Sequence, residues 1–252
     1  MTIAEAIAAF RARAGGQTEA RERDSERDDL SAPLYLLADF LSHKRITDLN
    51  GITPPVLRDF ISRWYVEEAT LPSQAGELLY ASSEISGPVS GKLPEPRELT
   101  SALEAFFEWA LAHAEAGPPS DLLGVVSELE STMPRAVEIG KALSAHVAGR
   151  GGAFAFPEFL TSFEEGGQSQ YDIDAPGDVG ALESYFRITR AEGVLIEAED
   201  AITGDRVWPV LFPEAVARLI EPGFIINLEL VRSPRLWRIA DCGFAYPPGT
   251  EV

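Results

Sequence analysis

Residues 151–186 read GGAFAFPEFLTSFEEGGQSQYDIDAPGDVGALESYF, and no lysine or arginine occurs between Arg150 and Arg187. The chain changes character across this stretch. Upstream, apolar residues recur at the three-and-four spacing of helices; downstream they alternate, the period of strands. Paired glycines at 151–152 and 166–167, Glu164, Glu165, and then Asp172, Asp174 and Asp178 punctuate it, so it reads as a seam. The expectation is an α+β chain built as two modules. An all-α helical domain occupies 33–150, an acidic junction 151–183, and a small SH3-like or OB-like β-barrel 184–252. A short helix and a charged tether, residues 1–32, precede them.

Upstream of the seam, Ile3, Ala6, Ile7 and Phe10 form one stripe, stopped at Gly15-Gly16. Residues 17–29 are dominated by Glu, Asp and Arg and have too little apolar area to fold alone. Leu34, Leu37, Phe40 and Leu41 share a helical face. Thr53-Pro54-Pro55 starts a helix, because a first-turn proline gives up an N–H that has no partner there anyway. Leu57, Phe60, Ile61 and Trp64 follow on one stripe. A helix over 73–83, a loop over 87–96, and a capping-box pattern of Thr100-Ser101 with Glu104 come next. The box leads into Leu103, Phe106, Phe107 and Ala110, with Trp109 on the flank. Two further helices span 120–130 and 133–147.

Downstream, Phe186 with Ile188, and Ile196 with Ala198, alternate with polar neighbours. Thr203-Gly204-Asp205 turns the chain into a hairpin whose next inward set is Trp208, Val210 and Phe212. Pro213 opens a short helix. Ile226, Leu228 and Leu230 form a strand, Arg232 to Arg235 a turn, and Trp237 with Ile239 the last strand. On this phase Trp208 and Trp237 belong to the core.

The charge is one-sided: 21 Lys and Arg against 40 Asp and Glu give −19. Such a surface repels a phosphate backbone, so nonspecific nucleic-acid binding through a broad basic face is disfavoured, though a local patch is not. Lysine occurs only at 44, 92 and 141, which fits the arginine bias of a GC-rich genome. Cys242 is the sole cysteine, so neither an intrachain disulfide nor a cysteine-based zinc cluster is available. His43, His113 and His146 each fall near a helix C-terminus, where they suit the carbonyl end of the dipole. No run approaches the ~20 apolar residues of a membrane span, and residues 1–14 lack a signal-peptide pattern. The expected setting is the bacterial cytoplasm, with no membrane association.

The succession from Leu36 to Phe40, Ile52-Thr53, Leu57-Arg58-Asp59-Phe60-Ile61 and Leu103 to Trp109 resembles the helical core-binding domain of tyrosine recombinases, over residues 33–115. The resemblance implies a compact helical module of a DNA-contacting type. The family's catalytic domain, with two Arg, a His-x-x-Arg box and a nucleophilic Tyr, has no counterpart, so recombination chemistry is not implied. Sixteen acidic and nine basic residues within 33–150 also oppose a DNA clamp.

Three constellations could carry function. Asp172, Asp174, Asp178 and Glu183 fall on a twelve-residue calcium-loop template, with Gly177 at position six and Glu183 at twelve. Pro176 departs from that template, and an acidic surface linker has the same composition. Glu197, Glu199, Asp200 and Asp205 surround one hairpin, where a catalytic carboxylate pair competes with a plain solvated face. Arg232, Arg235 and Arg238, with Phe244 and Tyr246, form the best local basic and aromatic patch, competing with domain packing. No nucleophile elbow, P-loop or dinucleotide fingerprint occurs. The leading expectation is a non-enzymatic interaction or scaffold protein with a protein partner and no cofactor, calcium aside. The alternative is a nucleic-acid-associated accessory factor using the helical module and the arginine patch.

Overall fold

The computed structural model describes residues 1–16, 31–70, 93–113, 121–149 and 180–252. The expected tether, the helix over 73–83, most of the loop over 87–96 and the junction up to residue 179 lie outside the described residues, Asp172, Asp174 and Asp178 among them. The chain is α+β, with helices in its N-terminal half and a five-stranded sheet in its C-terminal part. The helices are α1 (Ile3–Gly16), α2 (Ser31–His43), α3 (Pro54–Asp59), α4 (Tyr65–Thr70), α5 (Pro96–His113), α6 (Leu122–Leu129) and α7 (Thr132–Ala148). A π-helical turn, Phe60–Trp64, joins α3 to α4. The strands are β1 (Ala181–Glu192), β2 (Leu195–Asp200), β3 (Arg206–Leu211), β4 (Ile225–Arg232) and β5 (Trp237–Tyr246), with a one-turn helix, Glu214–Ala217, between β3 and β4.

Two compact units divide the chain, and they interleave along it. One comprises Met1–Tyr65 with Pro72–Pro134; the other comprises Val66–Leu71 with Arg135–Val252. Most of α7 thus belongs to the unit that holds the sheet, although its apolar period groups it with the helices before it.

In the first unit the apolar stripes read from the sequence are the buried faces. Leu34, Leu37, Phe40 and Leu41 of α2, and Leu103, Phe106, Phe107 and Ala110 of α5, are all buried. Burying each large side chain contributes about 1.5–3 kcal/mol, before the entropy of ordering is set against it. Phe10 meets the edges of Phe106 and Trp109, and Phe60 stacks on Trp64. The N-terminus is closed by a reciprocal capping box. Thr2 Oγ1 accepts the Glu5 N–H at 3.2 Å, and Glu5 Oε2 accepts the Thr2 N–H at 2.8 Å. The bond from the Thr2 backbone holds the Glu5 carboxyl below its usual range. The capping box expected at Thr100-Ser101 is not the start of α5. That helix begins at Pro96, and Glu98 accepts the Glu95 N–H at 2.7 Å. Proline at the first position needs no partner for an N–H, so it starts the helix a turn earlier. Thr100 turns its hydroxyl back onto the Pro96 and Arg97 carbonyls.

In the second unit each strand has two neighbours. β1 pairs with β2 and β4, β2 with β3, β4 with β5, all antiparallel; β3 and β5 run parallel and close the sheet on itself. The enclosed core includes Phe186, Ile188, Ile196, Ala198, Val207, Val210, Ile226, Leu228 and Leu230. The β3–β5 seam is short, two residue pairs: Val210 with Trp237 and Leu211 with Arg238. Gly140 of α7 lies where an added Cβ would come 2.7 Å from Thr70 Cγ2, so the Thr70 side chain fills the space a larger residue would need.

Candidate functional site

The β4–β5 turn gathers the expected arginines but not the expected aromatics. Arg232 ends β4 directly across from Trp237, which begins β5; Arg235 lies in the turn; Arg238 is paired with Val231 on one side and Leu211 on the other. All three arginines are exposed. The Arg232 guanidinium lies over the Trp237 ring, 5.7 Å from its centre, a contact worth about 0.5–1 kcal/mol in the open. Among the described residues no carboxylate stands within ion-pair distance of Arg232, Arg235 or Arg238. Four other arginines of the second unit are ion-paired, Arg135 with Glu221, Arg190 with Glu192, Arg206 with Glu197 and Glu199, and Arg218 with Glu214, whereas Arg187 on β1 has no such pair among the described residues. The turn differs in placing three arginines without an ion pair within seven residues.

Phe244 and Tyr246 stand at the opposite end of β5, so the structure divides the expected patch in two. Tyr246 pairs with Ile225, nine residues along the strand from Trp237, and is only 2% exposed. Its hydroxyl donates to Glu67 Oε1 at 2.9 Å, and its ring packs near Tyr185 and Phe244. Tyr246 is therefore a packing residue with a satisfied polar tip.

Trp208 reverses the expectation in the other direction. Instead of joining the core it is 42% exposed. Val207 pairs with Ala198 and Val210 with Ile196, so Trp208 and Pro209 together oppose the single residue Glu197. That bulge keeps two valines three positions apart on the inner face and turns Trp208 out. The clue in the sequence is Pro209, which lacks a ladder donor and fits a strand at an edge or a bulge. Pro209 and Leu211 are half-buried beside Trp208, and Leu211 adjoins Arg238.

The carboxylates of the β2–β3 hairpin have structural partners. Glu197 and Glu199 share Arg206, at 3.6 and 3.7 Å. Asp200 is buried rather than solvated, and its Oδ1 accepts the N–H groups of Ile202 and Thr203 at 2.8 and 2.9 Å. Burial works against its charge, yet those amides outweigh it and hold the carboxyl below its ordinary value.

A row of carboxylates crosses β1, β4 and β5. Glu183 pairs with Glu229, and Glu229 with Asp241. Desolvation, then repulsion from Glu183, raises Glu229; desolvation, then Glu229 and Glu183, raises Asp241 to about 6. Glu183, the twelfth position of the calcium template, is thus a strand residue facing another carboxylate. Among the described residues no three acidic, cysteine or histidine side chains converge on a point where a metal ion could sit.

Cys242 is buried, and desolvation with Asp241 beside it pushes its thiol to about 12, the reverse of an activated nucleophile. His43 and His113 end α2 and α5, each with Nδ1 within 2.9 Å of the carbonyl four residues back. Among the described residues no helix is long and apolar enough to cross a membrane. No protein-family model, no curated protein and no solved structure matches this chain.

Proposed function

We propose that this chain is a non-enzymatic interaction protein whose closed sheet is the contact module, taking an anionic partner at the β4–β5 turn. The observation that carries the reading is the trio Arg232, Arg235 and Arg238, exposed around one turn with no carboxylate within ion-pair reach among the described residues. Three guanidinium groups around one turn repel one another, and in an acidic chain a nearby Glu would relieve part of that repulsion. An arrangement left open in this way suits a ligand that brings its own negative charge.

The sheet reads as a small barrel of the OB-like type rather than the SH3-like one. Its pairing order β1-β2-β3-β5-β4, the parallel β3–β5 seam and the one-turn helix between β3 and β4 support that assignment. The helical unit, with its recombinase-like apolar order, serves in this reading as a scaffold for the contact module. An acidic protein segment and a nucleic acid are the two partner classes with the required charge.

Fluorescence anisotropy on the full chain tests the reading, with a labelled polyglutamate peptide and a labelled oligothymidylate as probes. Binding of either probe should weaken with salt and disappear in the double variant Arg235→Glu, Arg238→Glu. Binding of neither, or binding untouched by the reversals, contradicts the proposal.

A further inference from the structure

Resting on that reading, we infer that the anionic partner is a single-stranded nucleic acid, whose phosphates meet Arg235 and Arg238 while a base stacks on Trp208. The argument starts from the short parallel seam. Val210 pairs with Trp237; Trp208 stands two residues before the first, and Arg235 two residues before the second. Both therefore lie at the same end of the seam. Arg238 follows on the outer side next to Leu211, one residue past the pair. An exposed indole and two unneutralised guanidinium groups thus border one surface.

The chemistry of that surface separates the two anionic classes. An acidic peptide offers charge but no flat π surface, and leaves Trp208 in water. A nucleotide offers both, a phosphate that a guanidinium grips through two N–H groups and a base that stacks on an indole. Within a duplex the bases are stacked on each other and closed to an outward-facing side chain, so the strand must be single. Glu197 and Glu199 share Arg206, which offsets one of their two charges, so the neutral base rather than a phosphate meets that side while the phosphates follow Arg235 and Arg238. An overall charge of −19 then confines binding to this surface and makes it local and weak, without the broad electrostatic capture of a basic protein.

The test measures anisotropy of the full chain with a fluorescent oligothymidylate of about fifteen nucleotides, the same strand in a duplex, and a polyglutamate peptide, over a range of salt. The single strand should bind more tightly than the duplex. Trp208→Ala should weaken single-strand binding about tenfold, and Trp208→Phe should restore most of it. Arg235→Ala with Arg238→Ala should lower the slope of log affinity against log salt by about 1.4, two phosphates' worth. Trp208 is exposed, so its replacement leaves the core intact, and an unchanged thermal midpoint verifies this. Equal binding of single strand and duplex overturns the inference, as does indifference to Trp208→Ala. If polyglutamate binds through the arginines and oligothymidylate does not, the inference falls and the interaction reading stands. If neither binds, both fall.

Discussion

Asp241 on β5 is paired directly across from Glu229 on β4, two carboxylates on one face of adjacent strands, with Glu183 next in the row. Like charges in such positions repel, and Asp241 is only 4% exposed. Its carboxyl moves from 3.8 to about 6 on folding. The native state then holds this proton more tightly than the unfolded chain. Stability from this group is present at low pH, falls as pH rises from about 4 to about 6, and stays lost above. Asp241→Asn keeps an acceptor for the Cys242 N–H and removes the charge. We expect it to raise stability by about 1 kcal/mol at pH 7.5, after allowance for solvent screening, and to leave it unchanged near pH 4. Thermal melts of both proteins across that range check it.

Asp200 has the opposite sign. Its carboxylate accepts two amides at the tip of the β2–β3 hairpin, and its folded pKa is lowered. Its contribution is therefore present at neutral pH and lost as pH falls below the ordinary carboxylate range. Asp200→Ala should cost about 1–3 kcal/mol in urea unfolding at pH 7 by leaving those N–H groups unpaired.

Gly243 is fixed by space. An added Cβ would stand 2.4 Å from Asn227 Oδ1 and 3.1 Å from its Cγ, and Asn227 is itself buried. Gly243→Ala should cost about 1–3 kcal/mol, as overpacked sites do. Adding Asn227→Ala should return most of that loss, and a double-mutant cycle of urea midpoints measures the coupling.

Tyr246→Phe removes the hydroxyl that reaches Glu67. A loss of about 1–2 kcal/mol is expected by thermal denaturation. Anion binding at the far end of β5 should be unaffected, which separates packing from contact on the same strand.

Most of the helical stripes could be read directly, because a helix's period depends only on its own sequence. Leu34, Leu37, Phe40 and Leu41 needed no knowledge of a partner. The sheet was legible in its elements but not in its pairing. Glu183, Glu229 and Asp241 sit far apart in the chain and form a row only once β1, β4 and β5 are in register. Trp208 departs from its sequence period for a related reason. Strict alternation puts it inside with Val210, and the one-residue bulge opposite Glu197 breaks that alternation locally. Phe244 and Tyr246 are near the arginines in sequence only, because an extended strand separates its ends by roughly 3.3 Å per residue.

Hydrogen exchange on the full chain, with and without the oligothymidylate, tests the account most directly. Slowed exchange confined to residues 206–211 and 232–238 is the predicted result. Protection concentrated on the helices of the first unit, or absent everywhere at saturating oligonucleotide, would contradict it.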